Sequence, residues 1–275
     1  MAALNSTTGR PMLTLDSIKK SANESRDVTV IYGTPGIGKT SLAVYSNNPL
    51  FMMSNREDGL LTLIRNGLIP ETAHLPMTRT WEEAVDQFRF IVRNDIEYDT
   101  LVVDTANGIE EMLKEYVLQT HYKNNNSKFV AYGDGYKTLA TYVPLLINLL
   151  DEIKSKMKII LLSHWSIKKV NNPSGPDYDK YIPDISNQSW SQLERFADNV
   201  LFLTEQVNTS EEGSKNKASN SGHKVLYTKD TGFAVAKNRC AFPGIIHLSG
   251  SPKECWQQIV AKAGYERSSL KLEDW

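Results

Sequence analysis

The sequence predicts an α/β domain with a mainly parallel central sheet, flanked by helices and closed by a C-terminal β-hairpin. Three observations carry this. In DVTVIYGTPGIGKTSLAVY, from Asp27 to Tyr45, a β-branched and aromatic run meets a glycine-rich turn and then an apolar helix. The runs LFMMS from Leu50, LVVDT from Leu101 and KIILLSH from Lys158 have the continuous apolar character of strands buried on both faces. Helical spacings of apolar residues lie between these runs.

Composition sets limits on the function. At 275 residues with 40% hydrophobic content, the chain supports a sizeable core, and one large domain is the simpler organisation. The expected divisions are an N-terminal arm over 1–25, the domain over 26–265 and a tail over 266–275. The arm carries a short apolar patch, Met12, Leu13, Leu15 and Ile18, to pack on its own core or on a neighbour. A net charge of −1 excludes a broadly basic nucleic-acid surface, so any such contact falls to local loops. Two cysteines, Cys240 and Cys255, outside any CxxC pair, fit a reduced compartment. Without a signal-peptide core or a run of membrane-spanning length, the expectation is a cytoplasmic protein with no membrane contact.

The spacing Gly33, Gly38, Lys39, Thr40 fits the phosphate-binding loop GxxxxGK[ST]. The candidate nucleotide-binding residues are Gly33, Thr34, Pro35, Gly36, Ile37, Gly38, Lys39, Thr40 and Ser41, where glycines let the backbone N–H groups close around phosphate oxygens. Lys39 supplies a charge to the β/γ-phosphates, and the Thr40 hydroxyl is placed to bind Mg²⁺. ATP and Mg²⁺ are the expected cofactors.

Later elements follow in order. Leu50 to Ser54 is a buried strand ending in the polar turn Asn55 to Gly59. Trp81, Val85, Phe88 and Val92 mark a helix with Thr80 as N-cap. Tyr98 to Thr105 is a central strand, followed by a helix through Ile109, Met112, Leu113, Tyr116 and Val117. The stretch HYKNNNSKFVAYGDGY reads as an exposed loop. Leu145, Leu146, Leu149 and Ile153 form another helix, with Pro144 either opening it or kinking a longer one begun near Tyr136. After the strand Lys158 to His164, Trp165 to Trp190 reads as a long loop, and a helix through Trp190, Leu193 and Phe196 leads to the strand Val200 to Leu203. Residues 205–223 are polar and read as a flexible insert. Lys224 to Thr228 and Gly232 to Lys237 alternate around a turn and read as the hairpin. The last helix has a Ser251/Glu254 capping box, Pro252 at its first position and Gly264 at its end.

Beyond the P-loop, Asp104 closes an apolar strand expected beside the P-loop strand and is the candidate second Mg²⁺ anchor; the plainer alternative is a cap for the next helix. The residue after it is Thr105, not the Glu that many P-loop ATPases use to activate water. Glu57, at the carboxyl end of the preceding strand, is the candidate base, with Asp58 a competitor and a solvated turn carboxylate the alternative. His164 ends another strand on the same side and could bond the γ-phosphate, or merely satisfy backbone. The histidines show no metal-ligand spacing.

Taken in order, GTPGIGKT, NREDGL, LVVDT without a following Glu, LLSH and AKNRCAFP resemble the RecA-like ATPase core. More narrowly they resemble the phage ATP-binding proteins of the Sak type, fourth subgroup, over residues 27 to about 248. The resemblance implies Glu57 as water-activating residue, His164 as phosphate sensor, and Lys237 and Arg239 as cations that reach the nucleotide of an adjacent subunit. Two cations one residue apart on a strand share a face, which suits a clamp on transition-state charge; a solvated strand face is the alternative. The resemblance also implies single-stranded DNA as partner, with loops near 128–137 and 165–181. There Phe129, Tyr132, Tyr136, Tyr178 and Tyr181 would stack bases and Lys137, Lys168, Lys169 and Lys180 would meet phosphates. It further implies a homo-oligomer with nucleotide at the interface, a single-strand-binding protein as possible partner, and a phage or prophage origin. His164 stands where RecA has Gln, and no separate filament-forming domain is evident. A DNA-stimulated ATPase in recombination or strand annealing is the leading expectation. A nucleotide-dependent switch without DNA and a P-loop small-molecule kinase are the alternatives.

Overall fold

The computed structural model describes residues 26–55, 57–212 and 215–263, with the side chains of 207–222 left aside. In chain order the strands are β1 (Val28–Gly33), β2 (Pro49–Met53), β3 (Ala73–His74), β4 (Thr100–Asp104), β5 (Lys158–Ser163), β6 (Trp165–Val170), β7 (Tyr178–Pro183), β8 (Asn199–Glu212), β9 (Lys215–Tyr227), β10 (Lys237–Asn238) and β11 (Ile245–Leu248). The helices are α1 (Lys39–Ala43), α2 (Gly59–Arg65), α3 (Trp81–Arg93), α4 (Ala106–Tyr122), α5 (Asn126–Val130), α6 (Asp134–Ala140), α7 (Val143–Lys154), α8 (Asn187–Phe196) and α9 (Pro252–Lys262).

The main sheet runs β11-β9-β8-β1-β5-β4-β2-β3, with β10 also on β8. From β8 to β3 neighbours are parallel; β9, β10 and β11 add antiparallel edges. Because side chains alternate along a strand, each central strand feeds two cores. Val28, Val30 and Tyr32 pack with Leu101, Val103, Ile159 and Leu161 under α3, α4, α7 and α8. Ile31 joins Val102, Ile160, Leu162 and Leu201 under α1 and α9 on the opposite face. This two-sided burial explains the uninterrupted apolar runs. The expected architecture, a mainly parallel sheet between helices with antiparallel hairpin strands toward the C-terminus, is the one observed.

Local signals also recur. The Thr80 hydroxyl accepts from the Glu83 N–H, Pro144 opens α7, and Ser251 with Glu254 forms a full capping box. Several readings need correction. Residues 165–183 hold the hairpin β6–β7, a two-stranded sheet with exposed Ile167 and Lys168, so no apolar alternation announced it. The stretch read as a loop after Tyr122 is α5, a 3₁₀ turn and α6, and these pack on α4 through the wholly buried Phe129 and Leu139. Residues 205–212 and 215–223 extend β8 and β9 as a paired ribbon; a ribbon bonded through its backbone needs few apolar residues. The hairpin is therefore β8–β9, and Gly232 to Ala236 is a connection to the short β10. The arm over 1–25, the tail and the Gly264 helix stop lie outside the described residues.

Candidate nucleotide site

β1 delivers the chain to the glycine loop at Gly33. An added Cβ there would strike the Leu203 carbonyl of β8, so close strand approach requires glycine. Gly36 and Gly38 take φ of +79° and +96°, which turns the backbone into the loop. Lys39 lies within it, 5% exposed, and its Nζ donates to the carbonyls of Gly33 (2.8 Å) and Thr34 (3.0 Å). Burial lowers its pKa to about 8, against the opposing pull of Asp104 and Glu57.

Asp104 is not on the strand next to β1, as expected, but one further, beyond β5. It still meets the start of α1: the Thr40 hydroxyl donates to Asp104 Oδ2 at 2.8 Å. Capping of α4 falls to Thr105, whose hydroxyl accepts from the Gly108 N–H, so Asp104 is free of that task. Burial raises its pKa to about 6, with Glu57 adding to the rise and the Thr40 bond, Lys39 and His164 opposing it. A buried carboxylate beside a threonine hydroxyl is a hard oxygen pair that fits Mg²⁺, with phosphate and water completing the shell.

Glu57 and His164 converge from β2 and β5. Their Oε1 and Nε2 atoms are 3.0 Å apart. A carboxylate only accepts, so Nε2 carries the hydrogen in this contact. His164 Nδ1 is buried and has no hydrogen-bond partner among the described residues. Asp58, by contrast, is exposed and precedes α2 without a side-chain cap bond. Two residues missed in the sequence hold these ends together. Ser54 Oγ accepts from the Thr105 N–H (2.9 Å) and Asn107 Oδ1 accepts from the His164 N–H (3.0 Å). Gly108 leaves room for Ser54; a Cβ would strike its hydroxyl. Both are single polar residues whose partners are distant in sequence, and no motif marks them.

A family model for an AAA domain, AAA_24, matches residues 26–240. The chain belongs to that family. Its P-loop, acidic strand end and buried lysine are thus those of an AAA ATPase domain. No protein of curated function matches this chain in sequence. Among solved structures, the AAA domain is similar to the RadB recombinase at 13% identity, with 83% of this chain and 89% of that one covered and a TM-score of 0.44. It is likewise similar to the flagellar accessory protein FlaH from Methanocaldococcus jannaschii at 10% identity, with 83% and 87% covered and a TM-score of 0.42. No helix among the described residues is long and apolar enough to cross a membrane.

The remaining candidates in this AAA domain are scattered. Lys237 and Arg239 lie at the far end of the sheet from the P-loop: Lys237 pairs at the level of Val200 and hence of Val30, roughly 10 Å short of Gly33. Lys237 Nζ donates to the carbonyls of Glu194, Arg195 and Ala197, capping α8. Arg239 donates to Asp198 at 3.2 Å and keeps 56% of its side chain exposed. Neither reaches this chain's own loop.

Of the proposed stacking residues, Phe129 is corrected outright: it is 0% exposed, wedged between Tyr122 and Tyr136. Tyr136 and Tyr181 are half-buried, the latter stacked on Phe202 and set edge-on to Trp165. Tyr132 is 94% exposed at the tip between α5 and α6. Lys180, with 13% of its side chain exposed, is tied to Asp230 at 2.6 Å, so it is held inward rather than offered to phosphate. Lys137 and Lys169 make exposed pairs with Asp134 and Asp177, which are weak. Lys168 is exposed on β6 with no ion pair among the described residues.

Proposed function

We propose that the protein hydrolyses ATP with Mg²⁺ at this site and that single-stranded DNA on the β6–β7 hairpin stimulates the reaction, in recombination or strand annealing. The observation that carries the reading is the Glu57–His164 contact. His164 is followed directly by β6, so the residue that faces the candidate base also begins the hairpin.

In this reading Glu57 accepts the proton of the attacking water, and Lys39 holds the β/γ-phosphates. Thr40 and Asp104 would hold Mg²⁺, which would supply neutralisation of charge on the phosphoryl oxygens. His164 turns from Glu57 toward the γ-phosphate, which frees the carboxylate for water and tilts the start of β6. Tyr132 and Lys168 are the groups best presented to a base and a phosphate. Arg239, half-exposed at the far end of the sheet, reaches the phosphates of a neighbouring copy's nucleotide in a homo-oligomer, beside Lys237, which stays tied to the end of α8.

The test is ATP turnover with and without single-stranded DNA, alongside Lys39→Ala. Stimulated turnover that Lys39→Ala abolishes supports the proposal. Turnover indifferent to DNA, with no DNA retained at low salt, favours the switch reading instead. The specific observation on that side is that Lys180, Lys169 and Lys137 are all paired with carboxylates.

A further inference from the structure

The phosphate loop has a second cation beside it that the GxxxxGK[ST] spacing does not contain. Lys224 lies on β9 opposite Glu205 of β8 and Leu248 of β11. That level is two residues beyond Leu203 of β8, which stands beside Gly33 at the end of β1. The side chain is half-buried and shares a small cleft with Leu42, Leu203, Leu248 and Cys255. Its Nζ comes to 2.9 Å from the point that a Cβ on Gly38 would occupy.

Among the described residues no carboxylate pairs with this ammonium and no hydrogen bond satisfies it. Its charge is felt locally, because it opposes the rise that burial imposes on the pKa of the Cys255 thiol. A long stem fixed along apolar surface with its charged head at the rim is the ordinary way to hold a lysine. The unusual feature is where the head points. It faces a loop whose backbone presents N–H donors, and neither group can satisfy the other. An anion lying in the loop would satisfy both.

Lys39 approaches that anion from the side of Asp104 and Glu57, and Lys224 from the side of β9. In a P-loop the backbone at the last glycine serves the α/β-phosphates, while the motif lysine reaches β and γ. We infer that Lys224 binds the α/β-phosphates of the nucleotide across the loop from Lys39, and so sets affinity for nucleoside di- and triphosphates alike. The inference rests on the ATP-binding reading of the loop. Because the contacted phosphates are present before and after hydrolysis, the contribution falls on ground and transition states equally.

Lys224→Met keeps the apolar stem and removes the charge, and Lys224→Gln provides a second, polar replacement should the first not fold; Lys224→Arg restores the charge. ADP and ATP binding are measured by titration calorimetry on wild type and each variant, with Lys39→Ala as control. The expected result is a loss of about tenfold or more for ADP and ATP alike in the Met and Gln variants, the typical effect of a charge-assisted contact. Lys224→Arg recovers most of it, and the kinetic loss lies in KM. Wild-type ADP affinity in Lys224→Met or Lys224→Gln, or a loss confined to ATP, overturns the inference while leaving nucleotide binding intact. Absence of ADP and ATP binding in the wild type would overturn the reading of the loop and this inference with it.

Discussion

Glu57 and His164 face each other at 3.0 Å, although 107 positions separate them in sequence, and each stands at the carboxyl end of a different parallel strand. The two strands are separated in the sheet only by β4, which carries Asp104. Base candidate, sensor candidate and candidate metal ligand thus share one rim above adjacent strands, the usual place for a ligand crevice in a parallel sheet.

Glu57→Gln is the first test of that arrangement. It removes the proton acceptor while keeping size and hydrogen-bonding capacity. Turnover should fall by about a hundredfold or more with ATP binding retained, the common range for loss of a general base. Rates measured beside equilibrium nucleotide binding decide it; undiminished turnover would remove Glu57 from catalysis.

Asp104 makes a stability prediction with a definite sign. Its pKa in the nucleotide-free fold is about 6, above its ordinary value of 3.8, so the folded state holds a proton that the unfolded chain has already lost between those values. The contribution of Asp104 to the stability of the free protein therefore declines as pH rises from about 4 to 6. Asp104→Asn should stabilise the free protein above pH 6 by roughly 1–3 kcal/mol, with the gain vanishing below about pH 4. The same variant should lose the added stabilisation that Mg²⁺ with nucleotide gives the wild type. Thermal melts across pH, with and without Mg²⁺–ADP, check both statements.

Phe129 and Tyr132 should separate cleanly. Phe129→Ala empties a fully buried site and should cost about 3–5 kcal/mol in unfolding free energy. Tyr132→Ala should change stability by less than about 0.5 kcal/mol yet lower affinity for single-stranded DNA by roughly 1–3 kcal/mol. Denaturant unfolding and DNA titration on both variants are the measurements.

Lys168→Ala should weaken DNA binding and reduce the slope of log affinity against log salt by about 0.7, the value for one contact with a single strand. Lys180→Ala should leave that slope alone and instead lose the tie between β7 and Asp230. An unchanged slope for Lys168→Ala would take it out of the interface.

The P-loop was legible because its signal is local: Gly33, Gly38, Lys39 and Thr40 act through a single turn of backbone. The buried strands were legible for a similar reason, since two-sided burial writes an apolar run into consecutive residues. What escaped is non-local. β6 and β7 pair chiefly with each other, so their exposed faces leave no periodic mark. Phe129 looked like a loop aromatic until α4 and α6 closed over it. Ser54, Asn107 and Lys224 owe their positions to sheet order and register, and β5 lies between β1 and β4 for the same reason. The site's residue types were readable, but their company was not.

The most direct measurement is ATP turnover with and without single-stranded DNA in wild type and His164→Ala. DNA should raise the wild-type rate, and His164→Ala should still bind ATP while losing that rise. Full stimulation in His164→Ala, or a wild-type rate that DNA leaves unchanged, would contradict it.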